Sequence, residues 1–130
     1  MIQGSREAEA RNHEAFTFDP ATIDALVLSH AHIDHIGRVP LLVKRGFNGP
    51  IYAQTATCEL MPIMLLDAAS LDEHAPNSTN RDRAQGTPEI QPLYTRDYVA
   101  ATQKQLRPLA YDVATENLPG VTRTRHEAGP

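Results

Sequence analysis

The stretch Ser29-His30-Ala31-His32-Ile33-Asp34-His35-Ile36-Gly37 places three histidines and one carboxylate within six positions. Chance histidines in a polar loop would account for any one of them. They do not account for a run with the strand-like apolar segment Ala25-Leu26-Val27-Leu28 before it and Gly37 and a helical pattern after it, which is the rigid support a preorganised site requires. On an extended segment, residues two apart point to the same side, so His30 and His32 can share a metal ion. If the chain then turns into a helix, Asp34 and His35 are aimed at a neighbouring point. One loop would then feed two metals.

Ala25 to Ser29 is nearly continuous in apolar residues, as expected of a strand covered on both faces. Downstream, Ile36, Val39, Leu42 and Val43 recur at helical spacing, so a helix is expected to begin between His35 and Val39. Pro40 then falls in its first turn, where a missing N–H breaks no intrahelical bond. Lys44 and Arg45 suit the C-terminal end of the dipole, and Gly46 is the expected cap. Asn48-Gly49-Pro50 is turn chemistry and Ile51-Tyr52-Ala53 reads as a strand, leading to a second helix capped by Thr55 or Thr57. Pro62 is expected to kink that helix or delay its start, and Met61 and Met64 read as core.

Ser5 to Asn12 reads as a solvated loop or a single helical turn, and Asp19-Pro20 as a turn or helix start. Asp72 to Pro88 reads as the tail of a helix followed by an exposed loop, in which His74, Arg81 and Arg83 are solvated. Thr95 is expected to cap a third helix through Gln105, with Tyr98 and Val99 inward. Leu106 to Val113 reads as a strand interrupted by Pro108, and Leu118-Pro119-Gly120 as a turn into a last strand, Val121 to Arg125.

The bulk properties fit one small α/β domain or part of a larger one. There are 130 residues, 41% hydrophobic, with a net charge of −4, seven glycines, ten prolines and no Trp. The single cysteine, Cys58, excludes an intrachain disulfide and a thiolate metal cluster, so it is read as a packing or helix-start residue. No apolar run approaches a membrane span, and the start has neither a basic nor an apolar leader; the reading is a cytoplasmic protein without membrane contact. Mild acidity argues against a generally basic nucleic-acid surface, but bound metal ions add positive charge that formal net charge omits.

His30-Ala31-His32-Ile33-Asp34-His35 resembles the H-x-H-x-D-H signature of the metallo-β-lactamase superfamily. Further stretches are similar to its β-CASP branch, which cuts RNA or DNA. They are Met1 to Asn12, Gly37 to Lys44, Gly49-Pro50-Ile51-Tyr52-Ala53-Gln54-Thr55-Ala56-Thr57, Pro92-Leu93-Tyr94-Thr95 and Arg125-His126-Glu127-Ala128-Gly129. The resemblance implies an α/β fold, a partial αββα sandwich. It also implies two zinc ions, the first on His30 and His32 and the second on Asp34 and His35. A hydroxide bridging the ions would attack a phosphodiester of single-stranded RNA, with Asp34 orienting it or accepting its proton.

The family's third motif ends in a histidine where this chain has Pro130, and His126 stands before that motif's acidic position. The bridging aspartate, the inserted domain and the distal histidine of the family have no counterpart. The expectation is therefore that residues 1–130 form a partial metallo-β-lactamase domain, an internal slice with little or no activity. Two other readings stay open: a superfamily hydrolase of thioesters, lactones or phosphate esters, and a non-catalytic interaction fragment.

Overall fold

The computed structural model describes residues 1–79, 92–124 and 126. Expectations for Arg81, Arg83, Arg125 and Glu127 to Pro130, and for the side chain of His74, fall outside the described residues.

Three parallel strands in the order β1-β2-β3 form the central sheet: β1 (Leu26–Val27), β2 (Ile51–Gln54) and β3 (Leu106–Leu109). Leu26 pairs with Ile51, and Ile51 in turn with Leu106. Side chains alternate across β2: Ile51 and Ala53 are fully buried, whereas Tyr52 and Gln54 are half-buried on the opposite face. The buried face packs on helices α3 (Val39–Lys44), α4 (Thr55–Thr79) and α5 (Arg96–Gln105), through Val39, Leu41, Leu42, Met61, Leu65, Ala69 and Val99. A separate antiparallel hairpin, β4 (Thr115–Leu118) and β5 (Val121–Arg123), turns at Gly120, whose φ of 77° suits glycine. A parallel sheet with helices agrees with the α/β expectation of part of an αββα sandwich.

The first strand is shorter and less covered than its sequence suggested. Only Leu26–Val27 is strand, Leu28 is buried and Val27 is 60% exposed, because among the described residues β1 is a sheet edge with helices on one face alone. The helix after the histidines is two helices. The first, α2 (Ile33–Ile36), starts earlier than expected and ends at Gly37, and α3 follows after Arg38. Pro40 lies in the first turn of α3, as its chemistry requires. That helix stops in a Schellman motif: Gly46, at φ 109°, donates to the Val43 carbonyl, and the Phe47 N–H donates to Leu42 O at 3.1 Å. Phe47 is thereby turned into the core.

Helix α4 begins directly at Thr55, with Thr57 buried inside it rather than capping it, and it runs through Pro62 without a delayed start. Met61 is fully buried, but Leu60, Ile63, Met64 and Leu66 leave an apolar strip exposed, so the core role expected of Met64 is not seen. Thr95 occupies the N-cap position of α5, but its side chain makes no capping bond. Pro108 lies within β3 rather than interrupting it, which an edge strand tolerates.

The N-terminal segment is more structured than its composition suggested. Ser5 caps the short α1 (Arg6–Ala10), and a 3₁₀ turn follows over Arg11–His13. Asn12 is 1% exposed; its Oδ1 accepts from Ile2 N at 2.7 Å and its Nδ2 donates to Ile2 O at 2.8 Å. The Arg38 and Arg45 guanidiniums both lie over the Phe16 ring and donate to Glu14 O. Among the described residues, no helix is long and apolar enough to cross a membrane.

Two outcomes follow from this packing. A Cβ at Gly49 would lie 2.4 Å from Asp24 O and 3.0 Å from Asp24 C, backbone that cannot yield without moving β1. Gly49→Ala should therefore cost about 1–3 kcal/mol, read as a lower urea midpoint. Burial pushes the Cys58 thiol up. The thiolate is the attacking form, so Cys58 should react with iodoacetamide at pH 7.5 more slowly than a free cysteine, and unfolding in urea should remove the difference.

Candidate metal centre

Strand β1 delivers the histidine loop to the C-terminal edge of the sheet. Leu26 N donates to Pro50 O and Leu28 N to Tyr52 O at 2.9 Å, so the backbone is held up to the residue before Ser29. The chain bends at Ser29 and reaches His32, which sits at the N-cap position of α2 in an extended conformation with φ −67° and ψ 145°. It then winds into α2, placing Asp34 in the first turn, next to the dipole's positive end, and His35 in the last. Ile36 is fully buried beneath them. Gly37 N donates to Ile33 O at 2.7 Å, and the Met1 side chain fills the space beside Gly37.

The four sequence-predicted residues come together in one cluster. His30 Nε2 lies 3.1 Å from His32 Nδ1, the His30 and His35 ring centroids are 4.1 Å apart, and His35 Nε2 is 3.4 Å from Asp34 Oδ2. Asp34 and His35 are about half exposed, so the cluster is open to solvent. Imidazole nitrogen and carboxylate oxygen are the donors that divalent first-row ions prefer. Two nitrogens bound to a tetrahedral zinc at about 2.0–2.1 Å stand roughly 3.3 Å apart, close to the His30–His32 separation. Among the described residues no three donors converge on one point. The donor set thus fits a metal chemically and supplies a pair geometrically.

Ser29 is the residue that sequence reasoning passed over, having been read only as the end of a strand. Its Oγ lies 2.9 Å from His30 Nδ1 and 3.3 Å from His35 Nδ1. It engages both Nδ1 atoms, as a hydrogen-bonding partner behind metal-binding histidines does, while His30 Nε2 meets His32 Nδ1 and His35 Nε2 faces Asp34 Oδ2. The signal was its place immediately before the first histidine. His126, the other histidine near the sheet edge, bonds Asp112 Oδ1 at 3.0 Å through its Nδ1 and does not join the cluster.

The family model described as metallo-beta-lactamase superfamily matches residues 4–122. The chain is 54% identical over 68 residues to a ribonuclease of Thermus thermophilus, a match covering 52% of this chain and 15% of that protein. It is 36% identical over 111 residues to the transcription termination factor FttA of Methanosarcina mazei, covering 82% of this chain and 15% of that one. The FttA of Methanococcus maripaludis is 31% identical over 116 residues, covering 89% and 16%. The chain spans about 15% of the length of these curated relatives.

Ser29→Ala should weaken Zn²⁺ binding by about 10–100-fold in a calorimetric titration, since both ring orientations lose their partner, while the urea midpoint stays unchanged.

Proposed function

Because the chain belongs to the metallo-β-lactamase superfamily, we propose that residues 1–130 are part of the metal-dependent domain of a β-CASP-type ribonuclease that hydrolyses phosphodiester bonds of single-stranded RNA. The observation that carries this reading is the single cluster of His30, His32, Asp34 and His35 at the C-terminal edge of the sheet. The names of the relatives, a ribonuclease and transcription termination factors, support the substrate class. Open α/β sheets bind ligands outside the carboxyl ends of their strands, which is where the loop lies.

In this reading His30 and His32 hold one zinc ion and Asp34 and His35 a second. When bound, the ions supply Lewis-acid stabilisation of phosphate charge and lower the pKa of water to about 7. The chain's residues do the positioning. Asp34, in the first turn of α2, would orient the attacking water or accept its proton. Ser29 sets the ring orientations of His30 and His35. A cytoplasmic location belongs to the same proposal, as RNA processing takes place there.

Two protein donors for each ion fall below the three usual for a catalytic zinc. The 130-residue chain alone is therefore expected to bind zinc weakly and to cleave RNA slowly or not at all, as misplacement by about 1 Å can cost roughly a hundredfold in rate. Calorimetric zinc titration and an RNA cleavage assay, run beside His30→Ala/His32→Ala, test this. The variant should lose the His30–His32 site, read as a fall in the residual zinc binding. Two tightly bound zinc ions with rapid cleavage by the wild-type chain would overturn the weak-fragment expectation, and zinc binding unchanged in the variant would overturn the ligand assignment.

A further inference from the structure

Beside the histidine loop, a cleft of about 340 Å³ opens at the same edge of the sheet. Ser29 and Leu109 bring the ends of β1 and β3 to its wall, and Arg123 and Thr124 close it from the hairpin. Among the described residues no carboxylate lines it, although the chain as a whole carries a net charge of −4. Arg123 supplies its charge, while His126 at the rim is engaged with Asp112. The Arg123 guanidinium carbon sits 3.6 Å from the centroid of the Tyr52 ring, on the face of β2 that the helices leave uncovered. Its Nε, Nη1 and Nη2 are all occluded, and none has a hydrogen-bond partner among the described residues.

A guanidinium has five donors, and taking them from water without an acceptor is costly. The Tyr52 face offsets part of that cost and leaves every N–H unanswered. The Arg side chain is long enough to rotate on the ring towards the cleft, where a planar fork of donors matches a phosphate in two-point contact.

We propose that Arg123 is a phosphate-binding residue, which takes a phosphodiester of the RNA strand in the cleft next to the histidine loop. This rests on the ribonuclease reading for the identity of the anion. The guanidinium, held on Tyr52 in a cleft that Ser29 also lines, fixes the strand relative to the metal ligands and takes no part in proton transfer. It is a positioning residue.

The test is fluorescence anisotropy of a labelled oligouridylate with the full chain in EDTA, where no metal-dependent cleavage can interfere. Arg123→Gln should weaken binding about tenfold or more, and lower the slope of log affinity against log salt by about 0.7, one phosphate contact to a single strand. Arg123→Lys should lose affinity but keep the salt slope. Arg107→Gln, which removes the same charge from the exposed edge strand, should change neither. The Arg123 Nε–H resonance of the wild-type chain, identified by its loss in Arg123→Lys, should shift on adding the oligonucleotide, a readout that does not depend on any variant folding.

An unmoved Nε–H resonance, or an unchanged slope in folded Arg123→Gln, would overturn the proposal. Orthophosphate or uridine monophosphate binding as tightly as the oligomer would overturn its RNA assignment. Zinc binding unchanged in His30→Ala/His32→Ala, with Arg123-dependent RNA binding intact, would count against the metal-centre reading alone.

Discussion

The candidate centre depends on two backbone hydrogen bonds, Leu26 N to Pro50 O and Leu28 N to Tyr52 O, which fasten a two-residue strand to the edge of the sheet. With the pairing of Leu26 to Ile51 and Val27 to Tyr52 they hold the segment before the histidines in register, since among the described residues β1 has no strand on its other side. Close contact of Gly49 with Asp24 makes this possible, because the turn before β2 must pass directly against the chain entering β1. A shift of one residue there would reverse which way each loop side chain points. The core contributes the rest: Leu28 and Ile36 are buried on either side of the loop and leave the donors between them outside.

Much of this was legible in the sequence because local chemistry decided it. Pro40, Gly46, Asp19-Pro20 and Leu118-Pro119-Gly120 impose their backbone angles wherever they occur, and each stands where that logic places it. The span of α5 followed from its apolar spacing and its entry at Thr95. The fold class and the family followed from motifs spread along the chain.

What could not be read were features set by distant contacts. A run such as Ala25 to Ser29 has the same composition whether one face or two are covered, so the exposure of Val27 appears only once the sheet order is known. The burial of Asn12 depends on Ile2 coming back to it, and nothing in the polar segment announces that return. Arg123 reads as one more surface charge until Tyr52, far away in sequence, is found under it. At the histidine loop, sequence named the donors, but only the structure shows His30 shared between His32 and His35.

The hydroxyl of Ser29, set between two imidazoles, also keeps a count of protons. It owns one hydrogen and can give it to only one Nδ1, so at most one of His30 and His35 can be the tautomer that carries its proton on Nε2 and still be satisfied at Nδ1. When both rings turn their lone pairs outward at Nε2, both Nδ1 atoms become donors, and the serine oxygen must accept twice and release its own hydrogen to solvent. A single rotating O–H bond thus ties the two rings together, because the hydrogen it gives to one Nδ1 is withheld from the other.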